Sequence, residues 1–262
     1  ETIKKSNLVP TFLVSCIASR SGGVKDSWNV EYHINMKLLQ LASKLKFRRF
    51  ILLSAICVQK PHLEFQKAKL AFENELQKSS IPHDVVRPTA FFKSLSGQIE
   101  RIKKGKSFLL FGNGELTSCK PISERDLCRF IKRLIEEKKQ KSNIHIIGGP
   151  GPCITPIQQG KILFGLLKKR EKFYRINPKL FLLISWLLYP LSKVSSRLND
   201  YREFLRIAYY YATESMLFWN SKVKEYDSNL TPEFGNDILE DFYKDLITNK
   251  TQYTELKDQK LF

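Results

Sequence analysis

The 262 residues contain no Cys-x-x-Cys pair, no Gly-x-Gly-x-x-Gly loop and no apolar run long enough to cross a bilayer. Each absence excludes a class of protein. The five cysteines, Cys16, Cys57, Cys119, Cys128 and Cys153, lie far apart with no histidine close in sequence, so the spacing of a metal knuckle or a cluster is missing. They read as reduced thiols of an intracellular or plastid compartment. His33, His62, His83 and His145 show no spacing that makes one of them a catalytic acid. The longest apolar stretch, "KLFLLISWLLY", is fenced by Pro178 and Pro190. As a helix it reaches roughly 17 Å, against the ~30 Å of a bilayer core. It cannot span, and is either a buried helix or one that touches lipid or a large apolar ligand.

Charge of one sign is also scarce. Asp and Glu number 26 against 44 Lys and Arg, a net charge of +18. The excess is spread through "KLKFRR", "RIKKGK", "EEKKQK" and "LLKKREKFYR" without a nucleic-acid motif, so a solvated basic surface, an anionic membrane or an acidic ligand is expected, and no nucleic acid. The chain opens on Glu1, has no apolar export segment, and enters a strand by about Thr11, which reads as a beginning cut away.

Apolar runs alternate with amphipathic stretches at the spacing of a parallel sheet covered by helices. "TFLVSCIAS", "RFILLSAICV" and "DVVRPTAFF" are near-continuous apolar strands, as strands buried on both faces are. Between them lie "VEYHINMKLLQLASKLK" and the helix containing "FQKAK". Residues 1–95 therefore read as the C-terminal half of a Rossmann-like, doubly wound α/β domain whose first half is missing. Residues 96–262 read as a mostly helical substrate-binding region, with strand 143–148 returning to the sheet. "SFLLFGNGEL" predicts a strand and turn. Ser123 with Asp126 predicts a capping box, and Thr155 with Pro156 predicts the start of a further helix. The last third predicts aromatic helices and a charged, flexible tail.

"GGPGPC" follows a strand and precedes a helix, the layout of a dinucleotide loop. Ile154 stands where the third glycine belongs and Pro152 removes an amide, so it reads as a structural turn. With no other phosphate-cradling loop, residues 1–262 alone are expected not to bind NADPH strongly.

"PHLEFQKAKLAFENEL" places Phe65 four residues before Lys69, on one helical face, with Ser54 at the end of the preceding strand. Enzymes that move a hydride commonly carry a tyrosine at the place of Phe65. Ligands bind outside the carboxyl ends of strands in open α/β sheets, which favours a site here. The alternative is that Phe65, Ala68, Phe72 and Leu76 form an apolar stripe and Lys69 a solvated flanking charge.

"LVSCIASRSGGVKDSW", "LLSAICVQKPHLEFQKAKLAFENEL", "VRPTAFFKSLSGQ", "FGNGELTSCKPISERDL", "YYATESM" and "TPEFGNDILEDFY" together resemble the NADPH-dependent divinyl chlorophyllide a 8-vinyl reductase family, atypical short-chain dehydrogenase/reductases. The resemblance runs over nearly the whole chain. It departs at the start, where the family carries a glycine-rich loop and half of its sheet. It implies reduction of a C8 vinyl group on a divinyl chlorophyllide or protochlorophyllide to ethyl, with NADPH, in a plastid or the cytoplasm of a photosynthetic bacterium. It also implies that Lys69 holds the nicotinamide ribose and that Pro88 and Thr89 lie beside the nicotinamide. Ala18 and Ser19 are further cofactor candidates, and Ser54, Phe65 and Lys69 form the candidate catalytic set. Phe91, Phe92, Phe111 and Trp186 are candidate walls for a flat tetrapyrrole, and peripheral membrane association is compatible with the apolar stretch. Hydride addition to a conjugated vinyl carbon sends charge into the macrocycle and forms no alkoxide, so Phe65 in place of a phenol is consistent with that chemistry. The competing reading is a non-catalytic Rossmann-fold module that binds pigment, membrane or a protein partner.

Overall fold

A computed structural model describes residues 11–137 and 141–248. β1 (Phe12–Ser15) leads to α1, in which Val24–Ser27, a π-helical segment Trp28–Ile34 and Asn35–Lys44 follow without a break. Next come β2 (Arg49–Leu53), α2 (Glu64–Lys78), β3 (His83–Pro88), α3 (Ile99–Lys103), β4 (Phe108–Phe111), α4 (Glu124–Glu136) and β5 (Asn143–Ile147). α5 (Pro156–Leu166), β6 (Phe173–Ile176), α6 (Lys179–Leu187), α7 (Tyr189–Ser192), α8 (Ser196–Thr213), β7 (Phe218–Asn220), β8 (Glu225–Asp227) and α9 (Leu239–Ile247) complete the described chain.

The main sheet has the order β1-β2-β3-β5 and is parallel throughout. Strand residues alternate between its faces. Phe50 and Leu52 pack with Leu39 of α1 and Phe72 and Leu76 of α2, whereas Ile51 and Val86 pack with Leu127 and Ile131 of α4. Burial on both sides explains why these strands are apolar without alternation. β5 returns to the sheet in register with β3, Val86 opposite His145.

Beyond the sheet a second core gathers Phe108 and Leu110 of β4, Leu163 and Phe164 of α5, and Tyr243 of α9. β4 pairs with β6 in parallel, and β7 with β8 as an antiparallel hairpin. Those last three strands, β6, β7 and β8, stand in a region expected to be mostly helical. Each has three or four residues, too few to show a period, and takes its form from its partner. The charged tail lies outside the described residues.

Two predicted helix starts are present, one in altered form. Thr155 and Gln158 form a capping box behind Pro156. Ser123 Oγ accepts the Asp126 N–H at 2.9 Å, but the Asp126 carboxylate does not reach back to the Ser123 amide. It accepts instead from the amides of Asn236 and Asp237, at 3.0 and 2.9 Å, tying α4 to the segment before α9.

"GGPGPC" is a structural turn. Gly148 N–H donates to Pro232 O at 2.7 Å and Gly149 N–H to Lys120 O at 3.2 Å, so these amides face protein. A Cβ on Gly149 would stand 1.9 Å from Pro121 O. Gly149→Ala is therefore expected to destabilise the fold by about 1–3 kcal/mol through overpacking, read as a lowered urea midpoint.

Candidate active site

Three loops leave the carboxyl ends of β1, β2 and β3 and open onto one cavity of about 540 Å³. This lies within the ~300–1,000 Å³ range of small-molecule sites. Ser19 to Gly22 follow β1, Ser54 to Cys57 follow β2, and Thr89 to Phe91 follow β3, whose last residue Pro88 also lines the cavity. The far wall comes from the second core and from α8, including Phe111, Gln159, Ile207 and Tyr211. α8 comes close because Gly22 has a positive φ of 66° and no Cβ, which would otherwise meet Ile207 Cδ1 at 2.6 Å.

Glu31 organises the wall formed by α1 and the loop after β1. It sits in the π-helical turn of α1, where Asn35 Nδ2 donates to the Glu31 carbonyl at 3.0 Å and Ser15 Oγ donates to Asn35 Oδ1 at 2.6 Å. Such turns recur at functional positions because they shift side chains out of helical register. The Glu31 carboxylate is 3% exposed, accepts the Ser19 N–H at 2.9 Å on one oxygen, and pairs with Lys69 Nζ at 2.7 Å on the other. Ser19 Oγ in turn donates to Asp26 at 2.5 Å, and this bond together with the Ser21 hydroxyl holds the Asp26 carboxyl below its ordinary range. Lys69 is thus buried beside a carboxylate, unlike a solvated flanking charge. It does not line the cavity itself and meets it through Glu31.

Ser54 lines the cavity with its proton already directed elsewhere. Its Oγ donates to Glu73 Oε1 at 2.5 Å, and Arg87 pairs with the same fully buried carboxylate. Toward the cavity Ser54 therefore offers acceptor lone pairs. Phe65, Pro88, Thr89, Phe91 and Phe111 all line the cavity. Ala18, Phe92 and Trp186 do not. Ala18 precedes the lining loop, and Phe92 is 2% exposed in the second core against Phe242 at 5.6 Å. Trp186 is 71% exposed on the outer side of α6. Phe91 reaches the cavity, whereas Phe92, one residue further at the start of a 3₁₀ turn, is buried in the second core.

Two of the chemically capable groups, Glu31 and Tyr211, carry no distinguishing signal in the sequence. Glu31 carries no local signal beyond one acidic residue in an amphipathic helix. Tyr211 lies within "YYATESM", yet nothing local separates it from Tyr210, whose hydroxyl donates to Cys57 O at 3.0 Å. Burial, and then the adjacent Cys57, push the Tyr211 phenol well above its ordinary range, so it stays protonated. Its hydroxyl stands 4.0 Å from Cys57 Sγ, and the buried Cys57 thiol is itself pushed up by desolvation. Cys119, also on the wall, is pushed up to about 12 by burial and stays a neutral thiol.

A parallel sheet with a cavity at its carboxyl edge defines a Rossmann-type fold. Solved structures agree: the chain is similar to a UDP-glucuronic acid 4-epimerase from Bacillus cereus in complex with NAD (TM-score 0.60, 13% identity, 95% of this chain and 75% of that one). It is also similar to an NADPH-dependent quinone oxidoreductase from Escherichia coli complexed with NADPH (TM-score 0.59, 15% identity, 94% and 79%). No family model matches. The chain is a homologue of the divinyl chlorophyllide a 8-vinyl-reductases. It is 45% identical over 254 residues to the chloroplastic protein of Oryza sativa subsp. indica, and 44% identical over 253 residues to that of Arabidopsis thaliana. The alignments cover 95% and 94% of this chain but only 63% and 61% of those relatives.

Proposed function

We propose that the protein to which this chain belongs reduces the C8 vinyl group of a divinyl chlorophyllide or protochlorophyllide to ethyl with NADPH, in plastids. The observation that carries this reading is the cavity itself. It joins a cofactor-side wall, with Glu31 and Ser19 in front of Lys69, to an apolar wall of Phe65, Phe91 and Phe111 at the carboxyl edge of a parallel sheet. The buried carboxylate, with an amide and an ammonium fixed on it, fits a ribose hydroxyl at the nicotinamide end of NADPH, and Pro88 and Thr89 flank that place. NADPH would supply the hydride. Lys69 and Glu31 then orient the ribose, the aromatic side chains exclude water and offer stacking area to a flat ring, and the Tyr211 O–H is positioned to give a proton to the second vinyl carbon. Ser54 holds the wall in place through Glu73.

Phe65 has no proton to give, and in this chemistry none is needed from it. Phe65→Tyr in the full-length protein is expected to change vinyl reduction by less than about tenfold, or ~1.4 kcal/mol of barrier, and to add no carbonyl reduction. The proposal as a whole is tested by incubating the full-length protein with NADPH and divinyl chlorophyllide and following conversion to the monovinyl pigment. Absence of conversion would refute it. Peripheral membrane association is a further part of the proposal. Among the described residues no helix is long and apolar enough to cross a membrane.

A further inference from the structure

α6 is apolar on nearly all sides, yet only one side is covered. Its inner face packs on α8, with Ser185 3% exposed and Phe181 set edge-on to Phe111 at 5.4 Å. On the outer face Leu183, Trp186 and Leu187 are exposed, and Tyr189, Leu191 and Val194 continue the apolar surface through α7, Val194 at 86%. Contiguous apolar surface of this kind is rare on soluble monomers and marks an interaction site.

The charges around it identify the partner. From Lys168 to Arg197 the chain carries eight Lys and Arg residues, all of them exposed, against the single acidic Glu171. Arg175 and Lys179 lead into the apolar face. Lys193 and Arg197 follow it, and Lys193 Nζ lies 4.8 Å from the centre of the Tyr189 ring. Leucines and a tryptophan facing outward, a tyrosine beside them and a one-signed basic fringe are the pattern of a helix lying in the plane of a membrane interface. A nine-residue α6 is far too short to span, at roughly 14 Å, but long enough to lie flat.

We propose that α6 and α7 dock the protein on an anionic lipid bilayer, with Leu183, Trp186 and Leu187 entering the boundary between headgroups and acyl chains. This deepens the membrane part of the proposed function and does not depend on its chemistry. The contact also lies close to the cavity. Phe181, on the inner face of the docked helix, touches Phe111 of the cavity wall, so an apolar pigment dissolved in the bilayer has a short path to the site.

The test is flotation of the full-length protein with vesicles of phosphatidylcholine containing phosphatidylglycerol, and with phosphatidylcholine alone. Binding to the anionic vesicles, weakened by high salt, is expected. Leu183→Glu/Leu187→Glu should abolish it, Lys179→Glu/Lys193→Glu should remove the preference for anionic lipid, and Val223→Glu, at an exposed position on the turn between β7 and β8, should leave it unchanged. Failure of the wild-type protein to float, or flotation of the Leu183→Glu/Leu187→Glu variant like wild type, would overturn the proposal. So would sedimentation showing a dimer that this variant splits, since a second copy would then cover the face. Vinyl reduction measured in detergent micelles separates the two claims. It should survive in the Leu183→Glu/Leu187→Glu variant, and its absence from wild type would sink the proposed chemistry while vesicle binding still decided the docking face.

Discussion

Tyr211→Phe in the full-length protein is expected to lower kcat for vinyl reduction by about 10²- to 10⁴-fold, the usual contribution of a positioned general acid. The substitution removes one oxygen from the cavity wall and keeps the ring, so neither the fold nor the affinity for NADPH should change much. Three observations set the size of the effect. Tyr211 lines the same cavity as Phe65, the residue that stands where a phenol is common, and its pKa is raised by burial, so the proton is present throughout the working range. Cys57 and Cys119, the thiols nearby, are also pushed up by burial and stay neutral, so no thiolate stands beside the phenol. Steady-state kinetics check the prediction, together with the solvent deuterium isotope effect on kcat, which should be present in wild type. A loss smaller than about tenfold would remove Tyr211 from the mechanism and leave water as the donor.

Lys69→Ala is expected to act twice. Truncating one partner of a buried ion pair typically costs about 3–5 kcal/mol because the other charge is left without compensation, and Glu31 is such a partner. With Lys69 gone, Glu31 is no longer fixed in place, so the charge-assisted hydrogen bond its carboxylate offers a ribose hydroxyl would weaken as well, by up to about 1.5–3 kcal/mol and seen as weaker NADPH binding. The two effects can be separated. Glu31→Gln/Lys69→Met removes both charges while leaving an acceptor for the Ser19 amide, so it should regain most of the stability lost in Lys69→Ala. It should not regain NADPH affinity if the Glu31–Lys69 pair orients the ribose. Chemical denaturation and NADPH titration of the single and double variants provide the readouts. Recovery of both quantities in the double variant would reduce Lys69 to a counter-ion for Glu31.

The parts of the molecule that were legible in the chain are those whose physics is local. "RFILLSAICV" and "DVVRPTAFF" announce strands buried on both faces because both faces must be apolar, and β2 and β3 form there. Thr155 and Pro156 announce a helix start because a cap satisfies amides only a few residues away, and α5 begins there. The 143–148 segment reads as a strand of the sheet, and β5 pairs with β3. The turn "GGPGPC" is recognisable as structural because Pro152 and Ile154 spoil a phosphate loop whatever surrounds them.

What lay beyond the sequence depends on segments that meet from far apart. Lys69 could equally have been a solvated charge until α1 brought Glu31 to it across 38 positions. Phe91 and Phe92 were equivalent as candidate walls until the chain direction after β3 turned one into the cavity and the other into the second core. Tyr211 reaches the site only because α8 folds back over the loop after β2, 154 positions away from Cys57. "KLFLLISWLLY" left both a buried helix and one that touches lipid or a large apolar ligand open, since an all-apolar helix shows no period from which to read its inner face. Packing against α8 covers one side of α6 and leaves Trp186 outside. Strand burial and helix capping are thus written within ten or so neighbouring residues, whereas a site and a docking face are set by which distant surfaces the closed chain brings together and which it leaves in water.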